Sequence, residues 1–219
     1  MIRFSDIRCP TKLKKIYKTW KGKEFSILDV GCGKEFVQDV KKWFPKAKYY
    51  GLDKEKGFYD STKMDGFFHV DLEKNDLKSL ENSTFDVIIC SHVIEHLSNG
   101  LLFLEKLIQD HLKSGGTIYV EFPSVHSLSL WSAKGTLQFC DDPTHIRVYD
   151  TKEIANLFLQ NHIKVLRSGK ARDWLRMVLF PLTIPIQMYS LFKTGQMRIS
   201  FGLWDITGFA EYVYGKKCE

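Results

Sequence analysis

Within Lys12 to Trp20 the apolar residues fall at Leu13, Ile16, Tyr17 and Trp20, the three-and-four spacing that places them on one face of a helix. The pattern then changes. Ser26 to Val30 is a short apolar run that reads as a buried strand, and a helical stretch over Glu35 to Phe44 follows, stopping before Pro45. The alternation repeats. "AKYYGLD" (Ala47 to Asp53), "GFFHVDL" (Gly66 to Leu72) and "FDVIIC" (Phe85 to Cys90) predict strands. A helix over Leu101 to Leu112, a turn at Ser114 to Gly116 and a strand "TIYVEF" (Thr117 to Phe122) complete this half. Strands that are apolar along their length and separated by helices imply a mostly parallel sheet covered on both faces, an α/β doubly wound fold.

After Pro123 the pattern loosens into a loop that carries Ser124, His126, Trp131, Asp141, Asp142 and His145. A helix over Thr151 to Gln160 and a strand at Ile163 to Leu166 resume the alternation. Trp174 to Phe192, "WLRMVLFPLTIPIQMYSLF", is nearly all apolar, but it contains Arg176, Pro181, Pro185 and Gln187 over barely a spanning length. It therefore predicts an apolar helical insert within about 170–200, serving as a lid or an interface, rather than a membrane span. "GLWDITGFAEYVYGK" then reads as a long final strand. No repeat and no Pro/Gly/Ser-rich linker divides the chain, so 1–219 is expected to be one domain.

Composition narrows the class. A chain of 219 residues with 44% hydrophobic and 26% charged residues is ordinary for a globular protein. The net charge of +6 draws heavily on a basic opening, Arg8, Lys12, Lys14, Lys15, Lys18, Lys21 and Lys23, which reads first as a solvated helix face and second as a site for an acidic partner. The five cysteines, Cys9, Cys32, Cys90, Cys140 and Cys218, are scattered without a C-x-x-C pair, which fits a reduced, cytoplasmic setting. "MIRFSDIRCP" lacks the apolar core of a signal peptide.

In an open parallel sheet, ligands bind beyond the carboxyl ends of the strands, and here those ends carry Asp29, Asp53, Asp71 and the pair Ser91 and His92. One such aspartate alone reads as a helix cap; three in order are a stronger signal. The turn "GCGKEF" weakens two phosphate readings. A dinucleotide fingerprint needs glycine where Phe36 stands, and a P-loop needs a Gly-Lys-Ser/Thr ending. Gly31 and Gly33 leave bare backbone beside the charge of Asp29, which suits a cationic ligand better than a pyrophosphate.

These segments, "ILDVGCG", "YYGLD", "HVDL", "FDVIICSHVIEHL" and "LKSGGTIYVEFPS", resemble in order and spacing the class I S-adenosylmethionine (SAM)-dependent methyltransferases, specifically their type 11/23 group. The resemblance covers about Ser26 to Ser124, and "DPTHIRVYDTKEIANLF" is similar to the group's segment before its last helix. It implies a Rossmann-like sheet of seven strands, the last antiparallel at the sheet edge. It also implies SAM as cofactor, with Asp29, Gly31, Cys32 and Gly33 along the methionine part and Asp29 toward its ammonium. Asp53 would accept hydrogen bonds from both ribose hydroxyls, Asp71 would meet the adenine amino group, Leu72 would pack on the ring, and Ser91 and His92 would floor the sulfonium. Glu35 stands where the group commonly has a third glycine.

Methyl transfer needs donor and acceptor aligned, and a base where the acceptor keeps its proton. The histidines near the expected mouth are His92, His96, His126 and His145. His145 is the expected base or acceptor-orienting residue, and His92 is the second catalytic candidate; bonding of His145 to Asp141 or Asp142 is the bland alternative. Asp141, Asp142 and His145 have metal-ligand chemistry, but their spacing alone does not make a site, and no metal is expected. Nucleic acid is disfavoured as acceptor because "SHVIEH" replaces the Asn/Asp-Pro-Pro-Tyr/Phe signature and aromatics are not interleaved with Arg/Lys. The expected acceptor is a small molecule or glycan, methylated at oxygen. The insert at 174–192, flanked by Arg172, Arg176, Lys193 and Arg198, suits a lipid-linked glycan, peripheral contact with the inner face of a membrane, or a homodimer contact. A SAM-binding partner protein without catalysis, and an RNA methyltransferase, are the alternatives.

Overall fold

The computed structural model describes residues 9–60, 62–74, 77–132, 137–194 and 202–219. Arg8 and Arg198 lie outside them. Helix α1 (Thr11–Trp20) precedes strand β1 (Phe25–Val30), helix α2 (Phe36–Trp43), β2 (Ala47–Asp53) and β3 (Gly66–His69). The chain continues through β4 (Phe85–Ser91), α3 (Gly100–His111), β5 (Leu112–Pro123), α4 (Thr151–Gln160) and β6 (Ile163–Lys170). It ends with α5 (Trp174–Thr194), the short α6 (Leu203–Thr207) and β7 (Ala210–Lys217).

The seven strands form one sheet in the order β3-β2-β1-β4-β5-β7-β6. All pairings from β3 to β5 are parallel, and β7 runs antiparallel to both β5 and β6. The chain winds outward from β1 to β3 and then returns to β4, so the switch point lies between β1 and β4. Side chains alternate across the sheet. Leu28, Val30, Ile88 and Cys90 pack beneath α3 and α4 through Phe103, Leu107, Ile154 and Phe158, while Ile27, Val87, Ile89 and Tyr119 meet Leu13 and Ile16 of α1 and Val37 and Val40 of α2. Both faces are thus dry, which explains the continuous apolar runs.

The structure departs from the sequence expectations at four places. "GFFHVDL" is a strand only to His69, because Leu72 opens a short 3-10 turn (Leu72–Lys74). The expected turn at Ser114 to Gly116 lies within β5, whose pairing with β4 shifts register between Phe85 and Val87; the extra residues bulge out without breaking the strand. The expected long final strand begins only at Ala210, because Leu203–Thr207 coils into α6 and ends at Gly208, whose φ of 68° lets its N–H reach the Trp204 carbonyl. The antiparallel strand is not at the edge: β7 is interior and β6 is outermost. Lysines of the basic opening also serve internal contacts. Lys14 pairs with the buried Asp173 at 2.8 Å, Lys15 donates to Tyr212 at 2.9 Å and Lys12 lies 3.6 Å from the Phe36 ring.

The insert is one helix, α5, with Pro181 and Pro185 inside it. No helix among the described residues is long and apolar enough to cross a membrane. Phe180 and Trp204 join α5 and α6 to a small core of Leu130, Leu137, Leu203, Phe209 and Ala210. On its outer side Trp174, Val178, Leu182, Ile186, Tyr189 and Phe192 follow one another at helical spacing, and Leu182 and Phe192 are 74% and 85% exposed.

Candidate functional site

A cleft of about 440 Å³ opens at the carboxyl ends of β1, β2 and β4, where the topology reverses. That volume lies within the range of small-ligand sites. Gly31, Asp53, Asp71, Leu72 and His92, all singled out in the sequence, line it. So do Lys54, Val70, Glu73, Val93, His96, Leu97 and Thr144; of these only His96 carried a sequence signal. Among the described residues, none that lines the cleft comes from α5.

The turn after β1 is tied back to β2: Gly31 and Cys32 donate their N–H groups to the Leu52 carbonyl at 2.8 and 3.3 Å. Gly31 takes a φ of 67°, and a Cβ there would stand 2.6 Å from Val93 Cγ2, so both conformation and space demand glycine. The Asp53 carboxylate at the end of β2 accepts from the N–H of Gly33 at 3.3 Å and of Glu55 at 3.0 Å. It is therefore held in place while facing the cleft. Glu35 occupies the position before α2 with φ −104° and ψ −25°, a conformation open to any residue, so no third glycine is needed.

Asp29 lies beneath this surface, 2% exposed, and accepts a 2.5 Å hydrogen bond from Tyr49 Oη. Burial pushes its carboxyl up from 3.8 to about 6, with Asp53 adding to the rise, although Lys12 and the Tyr49 bond oppose it. Cys32 is also buried, and burial followed by the charges of Asp29 and Asp53 raises its thiol to about 12. Asp71 sits at the outer lip, where a hydrogen bond from Lys74 holds its carboxyl below the usual range. Val70, Leu72, Val93 and Leu97 give the cleft its apolar walls.

At the end of β4, Ser91 closes the strand and His92 turns with φ 56°, a left-handed conformation uncommon for a residue with a side chain. Its backbone N–H donates to the Glu121 carbonyl at 2.8 Å. Its ring nitrogens each meet a carboxylate at 3.2 Å, Nδ1 with Glu95 and Nε2 with Glu121. Burial opposes the imidazolium, but the bonds to Glu121 and Glu95 prevail and raise its pKa to about 9. Trp204 and Phe209 flank the ring, with centroids 5.3 and 6.2 Å away. Tyr119 donates to the far oxygen of Glu121 and completes the network.

Just after His92, Glu95 and His96 sit in a 3-10 turn (Ile94–His96). The Glu95 carbonyl accepts from the N–H groups of Ile146 and Arg147 at 2.9 and 3.3 Å, drawing the loop around His145 against this turn. His96 lines the cleft and His145 stands behind it, their ring centroids 4.7 Å apart. His145 Nδ1 lies 2.7 Å from the Phe139 carbonyl, and its Nε2 is 3.8 Å from Asp142. Asp141 points elsewhere, toward Ser132 Oγ and the backbone of Leu137 and Gln138, so the trio of Asp141, Asp142 and His145 does not converge. Nothing in the sequence showed that residues 144–147 would dock on Glu95.

A protein-family model described as a methyltransferase domain matches residues 3–167. No curated protein matches the chain. Among solved structures, a SAM-dependent methyltransferase from Archaeoglobus fulgidus is 21% identical, with 94% of this chain and 91% of that one covered and a TM-score of 0.59. A methyltransferase in complex with the Haloferax volcanii Trm112 methyltransferase activator is 15% identical over 95% and 90% of the two chains, with a TM-score of 0.64. The plantazolicin methyltransferase BpumL, in complex with a monoazolic desmethylPZN analog and SAH, is 18% identical over 95% and 82%, with a TM-score of 0.61.

Proposed function

The chain belongs to the class I SAM-dependent methyltransferases, and on that premise we propose that it methylates a hydroxyl oxygen of a glycan-type acceptor, a sugar or a lipid-linked glycan. Asp53 is the observation that carries the donor half. A fixed carboxylate facing the cleft is matched to a vicinal diol, because its two oxygens accept from both ribose hydroxyls. The apolar walls suit a planar base, Asp71 stands at the lip where an exocyclic amine would emerge, and Gly31 allows close backbone approach. Asp29, under the glycine turn, supplies negative charge on the methionine side.

SAM contributes an electrophilic methyl group on sulfur. As the new O–C bond forms the S–C bond breaks, its electron pair stays on sulfur, and one proton must leave the acceptor oxygen. His92 is poorly placed to take that proton, since both its ring nitrogens already engage carboxylates. Its part is to hold the floor rigid. The acceptor's proton is handled instead at His96, which faces the cleft with His145 behind it. The exposed apolar stripe of α5, with Arg176 and Lys193 on the same helix, supports a lipid-linked acceptor and contact with an anionic membrane surface.

The test supplies methyl-labelled SAM and the purified protein to three acceptor fractions: soluble metabolites, RNA and lipid-linked glycans presented on anionic vesicles. Label is expected in the glycan fraction as an alkali-stable ether. Label confined to RNA or to non-glycan metabolites overturns the acceptor assignment. Binding of S-adenosylhomocysteine with no transfer to any fraction favours a non-catalytic partner protein.

A further inference from the structure

Glu95 is fully buried, yet it satisfies only half of its carboxylate. Oε1 meets His92 Nδ1, while no hydrogen-bond partner among the described residues reaches Oε2. A buried, unpartnered carboxylate oxygen is costly and marks a place for a water or an ion. Two imidazoles stand next to it: one donor atom from each of Glu95, His96 and His145 lies within 4.8 Å of the others.

The hydrogen bonds around the two rings set their tautomers. Thr144 Oγ1 gives its single proton to Asp142 at 2.6 Å, so its 2.8 Å contact with His96 Nδ1 requires the ring to donate. The Thr144 carbonyl, 3.3 Å from the same nitrogen, can only accept as well. The Phe139 carbonyl likewise makes His145 Nδ1 the donor. Both rings then present Nε2 as a lone pair. An Nδ1–H fixed by an oxygen with Nε2 left for coordination is the outer-shell arrangement of metal-binding histidines. The backbone bonds of Ile146 and Arg147 to the Glu95 carbonyl fix the approach of the two loops before any ion arrives.

We propose that Glu95, His96 and His145 bind one divalent transition-metal ion, zinc by ligand preference, in the acceptor wall of the cleft. Two imidazoles and a carboxylate are a common catalytic zinc set that leaves coordination positions open. Bonds of about 2 Å place tetrahedral donors roughly 3.3 Å apart, so loading draws the three side chains together by about 1 to 1.5 Å. Asp142, 3.8 Å from His145 Nε2, is a further oxygen donor beside the site. The chemical use of the site rests on the methyl-transfer reading. An acceptor hydroxyl bound at an open position loses its proton more readily to solvent, and the imidazoles then hold the ion instead of acting as bases.

Ion binding can be tested apart from catalysis. Zinc is titrated into chelator-treated full-length protein by calorimetry, with Glu95→Gln, His96→Ala and His145→Ala beside His69→Ala and His126→Ala as controls. One saturable site per chain is expected, weakened at least tenfold by each of the first three changes and unaltered by the controls. Cobalt substituted into the unmutated protein gives a second readout independent of how the variants fold: visible bands of nitrogen and oxygen ligation, without thiolate charge transfer. Absence of saturable binding, equal binding by the three variants, or a thiolate band would overturn the proposal. Zinc binding without methyl transfer would leave the site standing and remove only its assigned use.

Discussion

Asp29→Asn should make the ligand-free protein more stable at neutral pH, although it removes a charge from the ligand-binding end of the sheet. The native carboxyl is raised from 3.8 to about 6, so the folded state binds the proton more tightly than the unfolded state does. Between those two values the folded state holds more protons, and stability falls as pH rises through the window. Above it the ionised form costs about 3 kcal/mol, the free-energy equivalent of roughly two pKa units. Asparagine avoids that cost and still accepts from Tyr49 Oη. Its new amide N–H₂ needs an acceptor, and lacking one could return about 1 to 2 kcal/mol. Urea unfolding at about pH 7.5 should therefore show a gain of about 1 to 3 kcal/mol, equivalent to roughly 2–12 °C in Tm for a chain of this size. The ionic part of the gain should fall by about half at about pH 5 and vanish below the unfolded-state value, leaving only the amide's cost. A variant no more stable than the parent at neutral pH, or a gap that does not change with pH, would refute the claim that Asp29 is held charged at a cost.

Two further substitutions address the cleft. Asp53→Ala should weaken S-adenosylhomocysteine binding about 10- to 100-fold by calorimetry, the loss expected for hydrogen bonds to a charged acceptor; unchanged affinity would dismiss the ribose assignment. Gly31→Ala places a Cβ 2.6 Å from Val93 Cγ2 at a φ of 67°, and should lower unfolding free energy by about 1 to 3 kcal/mol, with Gly31→Ala/Val93→Ala recovering the steric part.

The strands β1, β2, β4 and β5 were readable because they are buried on both faces, and a continuous apolar run bounded by polar residues has few other meanings; the edge strand β3 is only partly buried, and its end was misplaced. The cleft was readable for the same reason: Gly31, Asp53 and His92 mark strand ends, and strand ends define the mouth. What escaped depends on contacts distant along the chain. Ile146 meets Glu95 across about 50 positions, and no periodicity encodes that. Leu203 to Thr207 is apolar enough for a strand, and its coiling depends on a core made with Leu130 and Leu137. The sequence did not reveal that alternation along β1 would bring the Asp29 carboxylate against the Tyr49 hydroxyl, 20 positions on. His92 carried no advance sign of its left-handed backbone, since that is imposed by the Glu121 carbonyl it must reach.

The interior place of β7 also bears on how the chain is made. During synthesis β5 and β6 emerge well before Ala210–Lys217, and in the finished sheet β6 pairs, among the described residues, with β7 alone. Until that last segment leaves the ribosome, β5 keeps one open edge and β6 has no neighbour on either side. Open strand edges template pairing with other chains. The nascent protein therefore passes through an interval in which its aggregation risk lies with these two strands, and the final eight residues of the sheet end it by joining both at once.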